Sequence, residues 1–252
     1  LATLARADAP MVEVLQALKT LDASNAGFRT LKVGIAANVT VDLLGTYLRR
    51  HAYAAGVRLQ VAKGNYDDLV GDAQGHAAAG VDLLVIMPFF DNLQPGWETQ
   101  LETLDAGTRI AAQADYLNRL ELALQAAKAV PQVLLFGGHL MHPAVGARSV
   151  QQAALDAFND GLADVAARHP QVRLVQTAGL LARFGAARAF DARFYFRAKA
   201  PYAAGFVDQL ALAAAAATRR FGTQFHKVLV LDCDNSLWGG IVGEDGLDGI
   251  QL

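Results

Sequence analysis

The chain has 252 residues with a formal net charge of −2; 53% of its side chains are hydrophobic and 18% charged. That balance excludes a disordered chain, and the near-neutral charge leaves no electrostatic footprint for nucleic acid. A single cysteine, Cys233, excludes an internal disulfide, and apolar runs are broken before spanning length, so a soluble, cytoplasmic protein that uses no membrane is expected.

Residues 1–27 read as a helical lead, with helical spacing over Met11–Leu21. Short apolar runs then alternate with longer helical patterns. The runs Leu31–Ala36, Arg58–Ala62, Asp82–Met87, Gln132–Phe136, Val172–Gln176 and Lys227–Leu231 are apolar nearly throughout and bounded by Gly, Pro, Asn or Asp, as strands covered on both faces should be. Between them Val41–Ala55, Tyr66–Ala79, Gly96–Lys128, Ser149–Arg168 and Tyr202–Phe221 carry apolar residues three and four apart. Thr40 and Ser149 stand where helix N-caps belong, and Gly56 and Gly80 where helices stop. Such alternation predicts an α/β fold, a doubly wound parallel sheet of about five strands flanked by helices, over residues 28–221. The sixth run opens a second domain, entered at about residue 225 and followed to 252.

The stretch Lys227–Ile250 is the most informative. Its apolar run ends in Asp232-Cys233-Asp234-Asn235-Ser236, followed by Leu237-Trp238-Gly239-Gly240. Two carboxylates at i and i+2 on the end of a buried parallel strand suit phosphoryl transfer. One attacks phosphorus and shares a hard cation, while the other handles the leaving-group proton. Capping of a following helix explains one such residue; it does not explain the pair together with Ser236, Trp238 and the glycines.

This stretch resembles the first motif of the haloacid-dehalogenase-like (HAD) superfamily, D-x-D-x-[T/S]. It is most similar to the FkbH-like branch, which reads close to D-x-D-N-T-L-W-G-G-x-x-G-E-D-G. The likeness is near-continuous from Val230 to Ile250, with Ser236 where Thr is usual, and Asp191–Phe206 is similar to the segment preceding the HAD domain in that family. The resemblance implies that Asp232 is the phosphoryl-accepting nucleophile and Asp234 the general acid/base. It further implies Mg²⁺ held by the Asp232 carboxylate and the Asp234 backbone carbonyl. Cys233 would carry an acyl group as a thioester; read from the residues alone it is more commonly a small buried hydrophobe, and the flanking carboxylates disfavour its thiolate.

For the full-length enzyme the resemblance implies removal of phosphate from an activated three-carbon acyl phosphate of the 1,3-bisphosphoglycerate type. The glyceryl group is then loaded onto the phosphopantetheine thiol of an acyl carrier protein, in polyketide or related biosynthesis. A HAD phosphatase acting on a soluble phosphorylated metabolite and a non-catalytic carrier-protein docking module are the alternatives. The later HAD motifs do not occur before Leu252, so the chain by itself is expected to be inactive.

Residues 28–221 more weakly resemble SGNH hydrolases, which place a nucleophilic Ser after the first strand, Gly and Asn on later loops and D-x-x-H near the end. Here the first strand ends Ala36-Ala37-Asn38-Val39-Thr40, the third ends Pro88-Phe89-Phe90-Asp91-Asn92, and Phe194 stands three residues after Asp191. Without the Ser–His couple a degenerate, ligand-binding domain is expected. Ligands enter such folds at the C-terminal edge of the sheet, which nominates Asn38, Asp91, Asn92 and His139 for substrate binding, with Thr40, His142 and Lys199 nearby. His139, after Gly137-Gly138, either faces that crevice or is hydrogen-bonded within its loop. Trp97 is a candidate cover for the crevice, and the aromatics from Phe190 to Phe206 are expected to pack a last helix on the sheet.

Overall fold

The computed structural model describes residues 1–6, 9–24, 27–142, 149–220 and 246. The chain divides into two compact units, Leu1–Arg219 and Arg220–Leu252. Asp232, Cys233, Asp234 and the sixth expected strand lie outside the described residues.

Five parallel strands build one sheet in the order β2-β1-β3-β4-β5, with β1 Arg29–Ala37, β2 Val57–Tyr66, β3 Leu83–Met87, β4 Gln132–Phe136 and β5 Val172–Val175. Val33 of β1 pairs with Val61 on one side and Leu83 on the other. Chain order therefore reverses at β1, and a crevice opens between the C-terminal ends of β1 and β3. Every residue of β3 and β4 is buried, which is why both read as apolar runs, broken only by Gln132 at the start of β4. β2 is an edge strand that runs on through Lys63, Gly64 and Asn65 to Tyr66, past the apolar run that marked it in the sequence. An edge needs no apolar side chains where it faces water.

Helices α1 Ala2–Ala5, α2 Met11–Ala23, α3 Asp42–Ala54, α4 Leu69–Ala78, α5 Trp97–Gln100, α6 Ala106–Ala126, α7 Val150–Ala167, α8 Thr177–Phe184, α9 Ala186–Ala189, α10 Ala192–Ala198 and α11 Ala204–Arg220 complete the unit. One face of the sheet, carrying Leu84, Ile86, Val133 and Leu135, packs with Leu120 and Leu124 of α6 and Phe158 and Leu162 of α7. Burying each such side chain contributes about 1.5–3 kcal/mol. Val33, Ile35, Val85 and Leu134 of the opposite face are equally buried, as are Leu44 and Leu48 of α3 and Leu210 and Ala214 of α11. The residues before β1 dock through a small cluster of their own, in which Leu4, Val14 and Leu18 pack with Tyr53. Among the described residues no helix is long and apolar enough to cross a membrane.

The departures from the sequence expectations have local causes. The stretch Gly96–Lys128 is not one helix: the Asp105 carboxylate caps the Thr108 N–H at 2.9 Å and starts α6 afresh after the short α5. Likewise α4 begins only at Leu69, because β2 extends to Tyr66, Asp67 adopts φ 55° and Asp68 caps the Gly71 N–H. Thr40 does not cap α3. Its hydroxyl donates to the Ala198 carbonyl at 2.8 Å and its N–H to the Lys199 carbonyl at 2.8 Å, which ties the β1 loop to α10. Ser149 does cap α7, accepting from the Gln152 N–H at 3.0 Å.

Candidate functional site

The crevice at the C-terminal edge is bounded by the loops after β1, β3 and β4 and by α10. Asn38 lies at its base, 3% exposed, and all of its amide is engaged within the protein. Its Nδ2 donates to the carbonyls of Phe89 and Asn92, each at 3.1 Å, and its Oδ1 accepts the Phe89 N–H at 2.7 Å. Asn92 reciprocates, its Nδ2 donating to the Asn38 carbonyl and to the Tyr66 hydroxyl. Together the two asparagines staple the β1 loop to the β3 loop across the switch point.

Asp91 is also buried and doubly engaged. Its Oδ1 accepts the Glu98 N–H at 2.6 Å and its Oδ2 accepts the Tyr195 hydroxyl at 2.8 Å. Tyr195 is held in its protonated form by burial first and by that bond to Asp91 second. Glu98 continues the chain of contacts, its carboxylate accepting the N–H groups of Met141 at 2.6 Å and His142 at 3.1 Å. Burial pushes Glu98 up to about 7; the two amides oppose the shift and nearby Asp91 adds to it. One carboxylate pair thus joins the β3 loop, the β4 loop and α10.

His139 is 2% exposed, and neither ring nitrogen has a hydrogen-bond partner among the described residues. Its ring stacks on Phe190 at 5.5 Å and is edged by Phe89, Tyr202 and Phe206. Burial lowers its pKa to about 4, with the Gly137 backbone in partial opposition. His139 is therefore closed off from the crevice, so one of the two placements expected from sequence fails, while the Gly137 backbone of its own loop interacts with the ring. Trp97 is fully buried in the core beside Phe90, so it is no cover. Phe190, Tyr195, Tyr202 and Phe206 pack inward around Phe89, whereas Phe194 and Phe196 remain exposed. Lys199 lies over the Tyr195 ring at 4.7 Å, and Asp191 caps α10 through the Arg193 N–H.

What stays open are two cavities flanking this locked crest. One of about 190 Å³ lies at the ends of β1 and β2, lined by Thr40, Asp42, Lys63, Asn65 and Tyr66. The other, of about 310 Å³, lies beyond β4 between α7 and α8. Among the described residues no hydroxyl or thiol is hydrogen-bonded to a histidine, so no nucleophile–base couple for ester hydrolysis is assembled there. Nor do the described residues gather three His, Cys, Asp or Glu side chains that could hold a metal ion. Glu98 and Tyr66 were not singled out in the sequence. The only signal for Glu98 was an acidic residue inside the apolar neighbourhood of Trp97 and Leu101.

No family model and no curated protein matches the chain. Solved structures do. The N-terminal part of protein BF1531 from Bacteroides fragilis, containing a phosphatase domain and complexed with Mg, superposes with a TM-score of 0.68 at 17% identity over 95% of this chain. This chain spans 65% of that one. The lipase Lip_vut3 from a goat rumen metagenome gives 0.57 at 11% identity, covering 77% of this chain and 98% of the lipase. A mutant of the acetyl-xylooligosaccharide esterase Axe2 from Geobacillus gives 0.51 at 14% identity, covering 80% and 99%. At these identities the likeness is one of fold: an SGNH-like α/β sandwich around a five-stranded parallel sheet.

Proposed function

We propose that the chain forms part of an FkbH-like HAD enzyme, in which the described α/β domain is a non-hydrolytic binding domain and a phosphatase active site is begun later in the sequence by Asp232 and Asp234. The observation that carries this reading is the run Asp232–Gly240, a D-x-D-x-Ser motif continued by Leu-Trp-Gly-Gly directly after an apolar strand-like segment. The likeness of fold to the N-terminal part of BF1531 supports it, because that structure contains a phosphatase domain and is complexed with Mg. The internally consumed polar groups of Asn38, Asp91 and Asn92, and the missing Ser–His couple, support a binding rather than an esterase role for the first unit.

The donor set suits a hard cation: the Asp232 carboxylate and the Asp234 backbone carbonyl are oxygen ligands of the kind Mg²⁺ takes. When bound, the cation neutralises charge between the attacking carboxylate and the phosphate oxygens. Asp232 attacks phosphorus, and Asp234 delivers the proton to the departing oxygen and later takes one from the incoming nucleophile. The substrate class proposed is a three-carbon acyl phosphate of the 1,3-bisphosphoglycerate type. The acceptor is the phosphopantetheine thiol of an acyl carrier protein: the Cys233 thiolate would attack the acyl carbonyl carbon and expel the acyl-bound phosphate, Asp232 would take the ester phosphoryl group, and the carrier thiol would then take the glyceryl group from the Cys233 thioester as the Cys233 thiolate leaves.

The test is intact-mass spectrometry of a holo acyl carrier protein incubated with the whole protein, Mg²⁺ and 1,3-bisphosphoglycerate. The expected result is a glyceryl adduct on the carrier that disappears with Asp232→Asn. Phosphate release without an adduct would reduce the reading to a phosphatase of soluble metabolites. Turnover unchanged in Asp232→Asn would overturn the HAD assignment.

A further inference from the structure

The outward side of α10 carries side chains that the fold does not use. Of the seven residues in this helix only Tyr195 is buried, and Asp191 caps its start. On the outer side Arg193, Phe194 and Arg197 line a hollow of about 250 Å³. The Arg193 side chain is 88% exposed, and its ion pair with Asp191 spans 3.6 Å. Phe194 is 58% exposed, and Arg197 is exposed as well.

The helix gains nothing from this grouping. Arg197 alone would suit the last turn, but Arg193 in the first turn opposes the helix dipole, and like charges four residues apart repel. Phe194 and Phe196 are the only exposed phenylalanines among the described residues; the others are buried or half-buried. The charge is also regional. From Thr177 to Lys199 the chain carries Arg183, Arg188, Arg193, Arg197 and Lys199 against the one acid Asp191, in a protein whose formal net charge is −2.

These features select a kind of partner. Arginines at i and i+4 stand one turn apart, which matches carboxylates at i and i+4 on a facing helix. Between the guanidinium groups, the arginine stems and the Phe194 ring offer hydrocarbon to an apolar side chain. A lipid surface fits less well. Phe196 stands about 200° from Phe194 around the helix, so this short element has no single apolar face to lay into a bilayer. Nucleic acid would need a longer basic track than one arginine pair. We propose that the outer face of α10 docks an acidic amphipathic helix of a partner protein, its carboxylates on Arg193 and Arg197 and an apolar side chain beside Phe194. The site goes beyond the phosphatase reading and draws on none of its residues, so either can fail without the other.

The test titrates the full chain into a fluorescein-labelled helical peptide that has glutamates four residues apart beside a leucine stripe, read by anisotropy. A Kd below about 100 μM is expected at about 50 mM salt, weakening at least about fivefold at about 500 mM. Arg193→Glu combined with Arg197→Glu should weaken binding at least about tenfold, and Phe194→Ser at least about threefold. The thermal midpoint should be kept in each, because these side chains are exposed. Arg193→Gln combined with Arg197→Gln replaces the charge reversal should that variant fail to fold. Phe196→Ser lies outside the hollow and should bind as the wild type does. No binding at about 1 mM peptide, equal affinity for a peptide with lysine in place of glutamate, an unchanged Kd in the double arginine variant, equal loss in Phe196→Ser, or binding confined to phosphatidylserine vesicles would each overturn the proposal.

Discussion

Asn38 makes three side-chain hydrogen bonds across the switch point, all with backbone groups of the β3 loop. Truncation leaves two carbonyls and one N–H without those partners in a buried place, so Asn38→Ala should cost about 2–4 kcal/mol. A urea midpoint that falls with an unchanged m-value would show it. His139 and Glu98 make opposite contributions to the pH profile. The unfolded histidine takes up its proton near 6.5 and the folded one only near 4, so stability is lost as pH falls through that window. The unfolded glutamate loses its proton near 4.5 and the folded one near 7, so its contribution declines as pH rises between those values. Unfolding titrations from pH 4.5 to 6.5 should therefore show a nearly flat wild type. His139→Phe should slope downward with rising pH, and Glu98→Gln should slope upward.

Among the elements, α10 has a single buried side chain to anchor it, besides the backbone ties to Thr40. Of its seven residues only Tyr195 is buried, and its hydroxyl reaches Asp91 on the β3 loop. Tyr195→Phe should cost about 1–2 kcal/mol and speed amide exchange across Ala192–Ala198, with exchange in β3 and β4 unchanged; uniform acceleration would mean the helix is held elsewhere. The two ends of the unit are joined in a different way. His51 of α3 bonds Asp208 of α11 at 2.6 Å, and Arg50 lies 3.9 Å from the same carboxylate. These ties sit on the helical layer, away from the crevice, and fasten the last helix to the first crossover.

For the whole unit, Leu1–Arg219 contains the complete sheet and the apolar clusters on it. Residues 1–219 expressed alone should keep a cooperative thermal transition and a near-UV circular dichroism signal from the aromatics around Phe89; a broad melt without that signal would contradict an autonomous core. The sheet was legible in the sequence because β3 and β4 are covered on both faces and, but for Gln132 at the start of β4, are apolar throughout. The edge of β2 and the short helices α8 to α10 were not, since Lys63 and Asn65 face water and an element of four to eight residues shows too little period. Of the crevice, the loop positions of Asn38, Asp91 and Asn92 could be read from strand ends. That their polar groups face one another could not, because it depends on loops some fifty residues apart meeting at one edge. Glu98 was hidden for the same reason: its partners, Met141 and His142, belong to another crossover.

The ties that close the crevice also set a schedule for synthesis. Thr40 meets its acceptor 158 residues later, His51 its carboxylate 157 later, and Asp91 its tyrosine 104 later. A nascent chain can pair β1, β2 and β3 as they leave the ribosome, but α10 and α11 emerge last, and until then the crest stays uncapped with Phe89 bared to solvent. Chaperones that recognise exposed aromatics would meet this protein in that interval, and a stalled or clipped transcript ending before residue 195 would yield a sheet without its keystone.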